Sequence, residues 1–323
     1  MKKLFLLILC VVAGVAWAEV NIIQVTDEDK HSRKEDFYHT FEYYISGNGQ
    51  NSKCQATRIA PHWFATAAHC VKELCTSSCK IRMDLLDTPV SALAETEHDA
   101  KKTPRVFVHP SYQENKLVKN DFALFRLDLN HDPKIYYRRA TDKNPKNVAM
   151  SEKQFAAWME RNPRTKAKYT HVLSPQLPPI AVFDKGNYQL DRKMSVISIF
   201  DGKREIKTDP NPVYYVKDLG YAYTQNFGIR KGMSGSGVMT NTGELIGIIS
   251  AYVGADLYKG KQKIKHHELF MFPVFNEDLI SFMRDTLGSD WNRVSTKDAY
   301  PYLANKTRKD FTEILTIVNS STK

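Results

Sequence analysis

Short stretches in which apolar and polar residues alternate dominate the chain. Ala123, Phe125, Leu127 and Leu129 are interleaved with Arg126 and Asp128, the period-two spacing of a half-buried strand. Val238-Met239 and the run from Leu245 to Ser250 flank Asn241-Thr242-Gly243, which reads as a hairpin turning at its glycine. Met194 to Phe200 and Val213 to Val216 are two further predicted strands. Helical spacing is rarer. Ser151-Glu152-Lys153-Gln154 has the form of a capping box and is followed by Phe155, Trp158 and Met159. Asp278 to Leu287 and Arg308 to Val318 read as amphipathic helices. Many short strands with few helices predict an all-β barrel or sandwich.

The first residues follow a different logic. Lys2 and Lys3 precede an apolar run from Leu4 to about Val15, which ends in Ala16-Trp17-Ala18. This is the pattern of a secretory signal cleaved before Glu19, and the run is short of the roughly 20 residues that span a bilayer. Cys10 belongs to that leader, because Leu9 stands where a lipoprotein signal has a small residue. No other stretch is long and apolar enough to span, so the mature protein is expected to be soluble and periplasmic or secreted. Its cysteines are then Cys54, Cys70, Cys75 and Cys79. An even count in an exported chain favours disulfides, with three pairings open. The separations of 16, 5 and 4 lack the Cys-x2-Cys knuckles of a zinc site. No metal or cofactor is expected.

Charge adds one feature. Lys and Arg number 46 against 36 Asp and Glu, a net +10, which favours polyanionic partners without fixing fold or function. Ten of the basic residues, against four acids, fall within 132–168. We read that stretch as a linker or insertion with one short helix and a basic face. A solvated face is the default for such a run, and weak polyanion binding is the alternative. No specific nucleic-acid partner is predicted.

Three distant segments carry the chemistry. Thr66-Ala67-Ala68-His69-Cys70 follows Cys54; Asn120-Asp121-Phe122-Ala123-Leu124 puts an acid at the head of an apolar strand; Gly232-Met233-Ser234-Gly235-Ser236-Gly237 is a glycine-rich turn before the hairpin. Each has a plain reading taken singly: a structural histidine, a turn-forming aspartate, a flexible loop. Together they supply what acyl transfer needs. A serine hydroxyl is a weak nucleophile and requires a base, and the base requires an orienting acid. Ser236 is the competing nucleophile.

With these motifs in the order His, Asp, Ser, the sequence resembles the chymotrypsin-like (trypsin-like) serine peptidase family from about Cys54 to Leu287. The Gly-x-Ser-Gly-Ser turn is closer to bacterial members than to animal digestive ones. The resemblance implies an all-β, chymotrypsin-like double β-barrel with a C-terminal helix and short helical additions. It divides the chain into a signal at 1–18, an N-terminal region and first barrel at 19–140, a linker and second barrel with closing helix at 141–287, and a partly helical tail at 288–323. It assigns His69, Asp121 and Ser234 as the triad, the amides of Gly232 and Ser234 as the oxyanion hole, and a protein or peptide as substrate. It pairs Cys54 with Cys70, which leaves Cys75 with Cys79.

Departures from the family sharpen the expectation. Met233 stands where animal digestive members have the Asp that pairs with a newly exposed N-terminus, and the chain lacks the matching Ile-Val-Gly-Gly-like segment. Activation by that ion pair is therefore not available. Residues 19–35 are a candidate propeptide. Gly228 occupies the position of the acid that selects basic side chains, which speaks against Lys/Arg specificity. Ser250-Ala251-Tyr252 is the expected opposite wall, with Tyr252 either lining or narrowing the pocket. Lys231, His266 and His267 are either attractants for an acidic side chain or solvated surface. His266-His267-Glu268 lacks the second histidine of a zincin helix. Two rival functions stand beside the peptidase: an inactive protease-like binding protein, and an envelope or polyanion-binding module.

Overall fold

The computed structural model describes residues 22–24, 39–85, 90–113, 120–127, 134–137, 148–149, 151–164, 166, 177–183, 188–190, 194–200, 203–209, 213–216, 220–225, 228–240, 243–259, 262–298 and 303–305. The leader, the Arg308–Val318 helix and part of the basic 132–168 stretch lie outside these residues. Strand β1 (Ile22–Gln24) precedes a nine-stranded antiparallel barrel sheet. That sheet comprises β2 (Thr40–Gly47), β3 (Gln50–Ala60), β4 (Trp63–Thr66), β5 (Ser78–Asp84) and β6 (Val90–Asp99). It is completed by β7 (Val106–Val108), β8 (Ala123–Arg126), β9 (Lys134–Tyr137) and β10 (Val148–Ala149), in the spatial order β10-β9-β6-β5-β2-β3-β4-β8-β7. Asn48 and Gly49 join β2 to β3 with φ of 51° and 73°, the left-handed pair that a two-residue hairpin turn demands. The barrel core is aromatic. Phe64 stacks on Phe125 at 5.4 Å, and Tyr43 and Phe41 close on that pair at 5.1 and 5.8 Å.

The second half consists of β11 (Ile180–Val182), β12 (Tyr188–Leu190), β13 (Met194–Phe200), β14 (Lys203–Asp209), β15 (Val213–Val216) and β16 (Tyr221–Gln225). It continues with β17 (Gly237–Thr240), β18 (Leu245–Ile248), β19 (Ala251–Lys259), β20 (Gln262–Pro273), β21 (Thr296–Asp298) and β22 (Leu303–Asn305). One sheet runs β1-β14-β13-β17-β18-β11-β21 and the other β19-β20-β16-β15-β12-β22. Met194, Val196, Val238 and Ile246 from the first meet Tyr215, Ala222, Phe270 and Phe272 from the second in one apolar core. The all-β double barrel is thus the observed architecture. The predicted strands at 194–200 and 213–216 match β13 and β15. Gly243, with φ of 89°, turns between β17 and β18. The strand predicted to run to Ser250 ends at Ile248, because Ile249 bonds the Ser236 and Gly235 backbone instead.

Two longer helices accompany the sheets. In α1 (Glu152–Arg161) the predicted capping box forms: the Gln154 amide donates to Ser151 Oγ, and the Ser151 amide donates to Gln154 Oε1 at 2.9 Å. Phe155 and Met159 are buried. α2 (Glu277–Leu287) begins one residue before the expected start, where Asn276 Oδ1 accepts the Leu279 amide at 3.0 Å, and stops at Gly288 with φ of 56°. Its inner face, Leu279, Ile280, Met283 and Leu287, fills the seam between Phe122 and Leu124 of one half and Met239 and Ile248 of the other. The chain beyond α2 adds further ties. Asp290 Oδ2 accepts Trp63 Nε1–H at 2.9 Å in the first barrel, and Lys297 Nζ donates to the buried Glu244 at 3.1 Å in the second. The tail's described part is a 3-10 turn and two edge strands.

Two predictions follow from this packing. Met283→Ala, at a position with no solvent exposure, is expected to cost about 2–5 kcal/mol, read as a lower denaturant midpoint at unchanged slope. The second concerns acid. His98 Nδ1 accepts the amides of Arg105 and Val106 at 3.0 and 3.1 Å, so the ring must be neutral there. Burial lowers its pKa, against smaller opposing effects of the Asp99 carboxylate and the Cys75 backbone. The unfolded chain therefore binds the proton more readily, and stability present above about pH 6.5 falls as the solution is acidified through that range. His98→Asn, which keeps an acceptor but does not titrate, is expected to reduce that slope in urea unfolding from pH 7 to 5.

Candidate active site

Asp121 lies just ahead of β8 and is fully buried. Asn120 before it adopts φ of 50°, a left-handed conformation that asparagine tolerates better than most residues. Its Nδ2 donates to Asp278 Oδ2 in the first turn of α2 at 3.3 Å, and His109 Nε2 lies 3.6 Å from the same carboxylate. The Asp121 amide donates to the Tyr221 hydroxyl oxygen at 2.9 Å. Burial, then the neighbouring Asp121 charge, raises the Tyr221 pKa, so the phenol stays neutral. A buried carboxylate requires donors, and Asp121 has three. Oδ1 accepts the His69 amide at 2.8 Å, while Oδ2 accepts His69 Nδ1–H at 2.7 Å and Ser250 Oγ–H at 2.5 Å.

His69 sits in the 3-10 turn Ala68–Cys70, whose flanking alanines are buried. With its Nδ1 proton directed at the carboxylate, Nε2 is left as the acceptor. Ser234 Oγ is 3.0 Å from it. Ser234 stands in a turn where Gly232 and Gly235 have φ of 93° and 90°. At Gly235 a Cβ would lie 1.8 Å from the Gln55 carbonyl oxygen and 2.6 Å from Thr66 Oγ1, so no other residue fits. The close approach permits direct bonds from the first barrel: the Gln55 amide donates to the Ser234 carbonyl at 2.8 Å, and Thr57 Oγ1 donates to the Gly235 carbonyl at 3.1 Å. Among the described residues no backbone carbonyl takes the amide of Gly232 or Ser234. Met233 is fully buried with Ile229, Ile249 and Phe270, so this turn is anchored by apolar packing.

The predicted site residues fall in three groups. His69, Asp121 and Ser234 converge, and Gly232 lies two residues before the serine in the same turn. Cys54–Cys70 and Cys75–Cys79 form the two disulfides. The first of these brings Cys70 Sγ to 3.7 Å from His69 Nε2; its sulfurs are not thiolates and so offer no metal ligand. Of the expected pocket residues, Gly228 precedes the serine turn and Tyr252 lies in β19, whereas Ser250 is buried and directed at Asp121. Ser236 is fully buried, with its amide on the Met233 carbonyl. Gln55, Thr57 and Tyr221 were not legible, because no motif surrounds them. Only the position of Gln55 next to Cys54 pointed toward the site.

The Trypsin family model matches residues 30–179, a span that holds His69, Asp121 and both disulfides and ends before Ser234. The resemblance carried by the motifs is upheld over that span, which matches a trypsin-like serine endopeptidase domain. No curated protein matches it. Among solved structures it is similar to a Glu endopeptidase in complex with MPD (15% identity over 82% of this chain and 95% of that one, TM-score 0.44). It is also similar to protease Anisep from Arthrobacter nicotinovorans (13%, 78% and 96%, TM-score 0.42) and to a scabies mite inactivated protease paralogue (14%, 79% and 96%, TM-score 0.40). Among the described residues no helix is long and apolar enough to cross a membrane.

Gly235→Ala is expected to force Gln55 and Ser234 apart, lowering stability by about 3 kcal/mol or more. Gly243→Ala, at a hairpin turn away from this contact, is the comparison. Denaturant unfolding of the two variants checks it.

Proposed function

We propose that the protein is an exported endopeptidase that hydrolyses peptide bonds through an acyl-enzyme on Ser234. The observation that carries this reading is the line of contacts from Asp121 Oδ2 through the imidazole to Ser234 Oγ, at 2.7 and 3.0 Å. Ser234 Oγ attacks the scissile carbonyl carbon while its proton passes to His69 Nε2. The carbonyl oxygen takes the negative charge and is held by the amides of Gly232 and Ser234, a contribution of about 10²–10³ in rate per donor. His69 then gives the proton to the leaving amine as the C–N bond breaks. A water molecule, deprotonated by the same nitrogen, attacks the ester and releases the acid, and the proton returns to Ser234. Asp121 fixes the tautomer throughout and offsets the charge on the imidazolium.

Export is supported by the leader pattern and by two disulfides, which persist in oxidising compartments. Site formation needs no new N-terminus, since Met233 holds the serine turn through burial. Purified protein is expected to react with a fluorophosphonate at Ser234, mapped by mass spectrometry. His69→Ala should abolish labelling, and Ser234→Ala should lower kcat roughly 10⁴- to 10⁶-fold on a cleaved peptide. Absence of label on protein shown to be folded by circular dichroism overturns the reading and favours the inactive binding protein.

A further inference from the structure

We infer that Tyr221 is a positioning residue of this site: its phenol closes a ring of hydrogen bonds that fixes the direction of the Ser250 hydroxyl on Asp121 and, through it, the basicity of His69. The inference rests on the acyl-enzyme reading above.

Tyr221 opens β16, where it pairs with Val216 of β15 and Pro273 of β20. Only 1% of it meets solvent. Its hydroxyl oxygen accepts the Asp121 amide at 2.9 Å, and the same hydroxyl is hydrogen-bonded to Ser250. Ser250 Oγ in turn lies 2.5 Å from Asp121 Oδ2. These three contacts return to the residue from which they start. A carboxylate can only accept, so Ser250 spends its one proton on Asp121 and must accept from the phenol. The order is therefore fixed: Asp121 N–H to the Tyr221 oxygen, Tyr221 O–H to Ser250 Oγ, Ser250 O–H to Asp121 Oδ2. Bonds linked in this way polarise one another in a buried site.

Asp121 Oδ2 also accepts His69 Nδ1–H at 2.7 Å, so the serine hydroxyl and the imidazole draw on one oxygen. A strong Ser250 donor takes up part of the charge on Oδ2 and weakens its hold on a protonated ring. Without the phenol, Ser250 loses the donor that sets its rotor and the Asp121 amide loses its acceptor. The carboxylate is then less firmly aimed, and its less compensated charge favours the imidazolium. His69 becomes more basic and worse placed.

The other ionisable groups nearby do not blur this effect. Tyr43 of β2, whose hydroxyl lies 3.0 Å from Thr66 Oγ1, and Tyr223, 6.4 Å from Tyr221 between ring centroids, are buried phenols whose pKa burial raises. Behind Asn120, burial lowers the pKa of His109 against the opposing charge of Asp278. The phenols stay neutral and His109 takes its proton below the usual histidine range, so a midpoint read near neutral pH belongs to His69.

The probe is the fluorophosphonate, and the measured quantity is its second-order rate of labelling Ser234 between about pH 5 and 9. Tyr221→Phe removes only the oxygen. We expect it to lower that rate about 10- to 100-fold and to raise the acid midpoint by about half a pH unit or more. Installing 3-fluorotyrosine at position 221 makes the phenol a stronger donor and is expected to move the midpoint down. This second arm decides if Tyr221→Phe does not fold or reacts too slowly for a midpoint. Tyr223→Phe, at a buried phenol two residues along the same strand, is expected to leave rate and midpoint unchanged. A folded Tyr221→Phe protein with the original rate, or with an unmoved midpoint, overturns this inference alone, as does a fluorotyrosine protein whose midpoint stays or rises. Folded unsubstituted protein that takes no label overturns the acyl-enzyme reading and this inference with it.

Discussion

One buried glutamine joins the two halves of this protein. The Gln55 amide holds the carbonyl of Ser234, and its own carbonyl accepts Thr66 Oγ1–H at 2.8 Å. Its side chain bonds both the amide and the carbonyl of Ile199, at 3.0 and 2.7 Å. Gln55 thus pairs with Ile199 as a neighbouring strand residue would, between the sheets. Because it has no exposure to water, losing any one partner would strand a buried polar group at about 1–3 kcal/mol. The position of Ser234 relative to His69 is thus a consequence of how the first barrel meets the second.

Around that joint the groups divide by task. Cys54–Cys70 ties the residue before Gln55 to the residue after His69, so the base and the joint share one covalent link. α2 works from the other side, through Asp278 on Asn120 and through Met283 in the seam. Ser250 connects the two directions, since its hydroxyl bonds Asp121 and its carbonyl oxygen lies 3.5 Å from Ser234 Oγ. Few of these contacts are surface ion pairs, so ionic strength has little hold on the arrangement.

The parts legible in the sequence were those set by local rules. Strands β13 and β15 matched because their residues are mostly apolar or β-branched, and α1 matched because Ser151 and Gln154 form a reciprocal cap within four residues. Asn48-Gly49 is an equally local hairpin signal. His69, Asp121 and Ser234, which the structure brings together, were legible because each carries a short motif. What could not be seen depends on distance along the chain. Gln55 looks like any polar residue in a strand until Ile199 and Ser234 are placed beside it. Ser250 reads as pocket wall until Asp121 arrives.

The same separations govern the order of events in folding. The bonds that join Gln55 to Ile199, His69 to Ser234, Thr57 to Gly235 and Trp63 to Asp290 span 144, 165, 178 and 227 residues. Contacts of that range become favourable only after the entropy of closing very large loops has been met, so they form late. Each half can collapse around its own aromatic core while His69 and Ser234 are still strangers. The meeting of His69 with Ser234 is then a late event of folding, and a chain still being made or moved keeps the two groups apart.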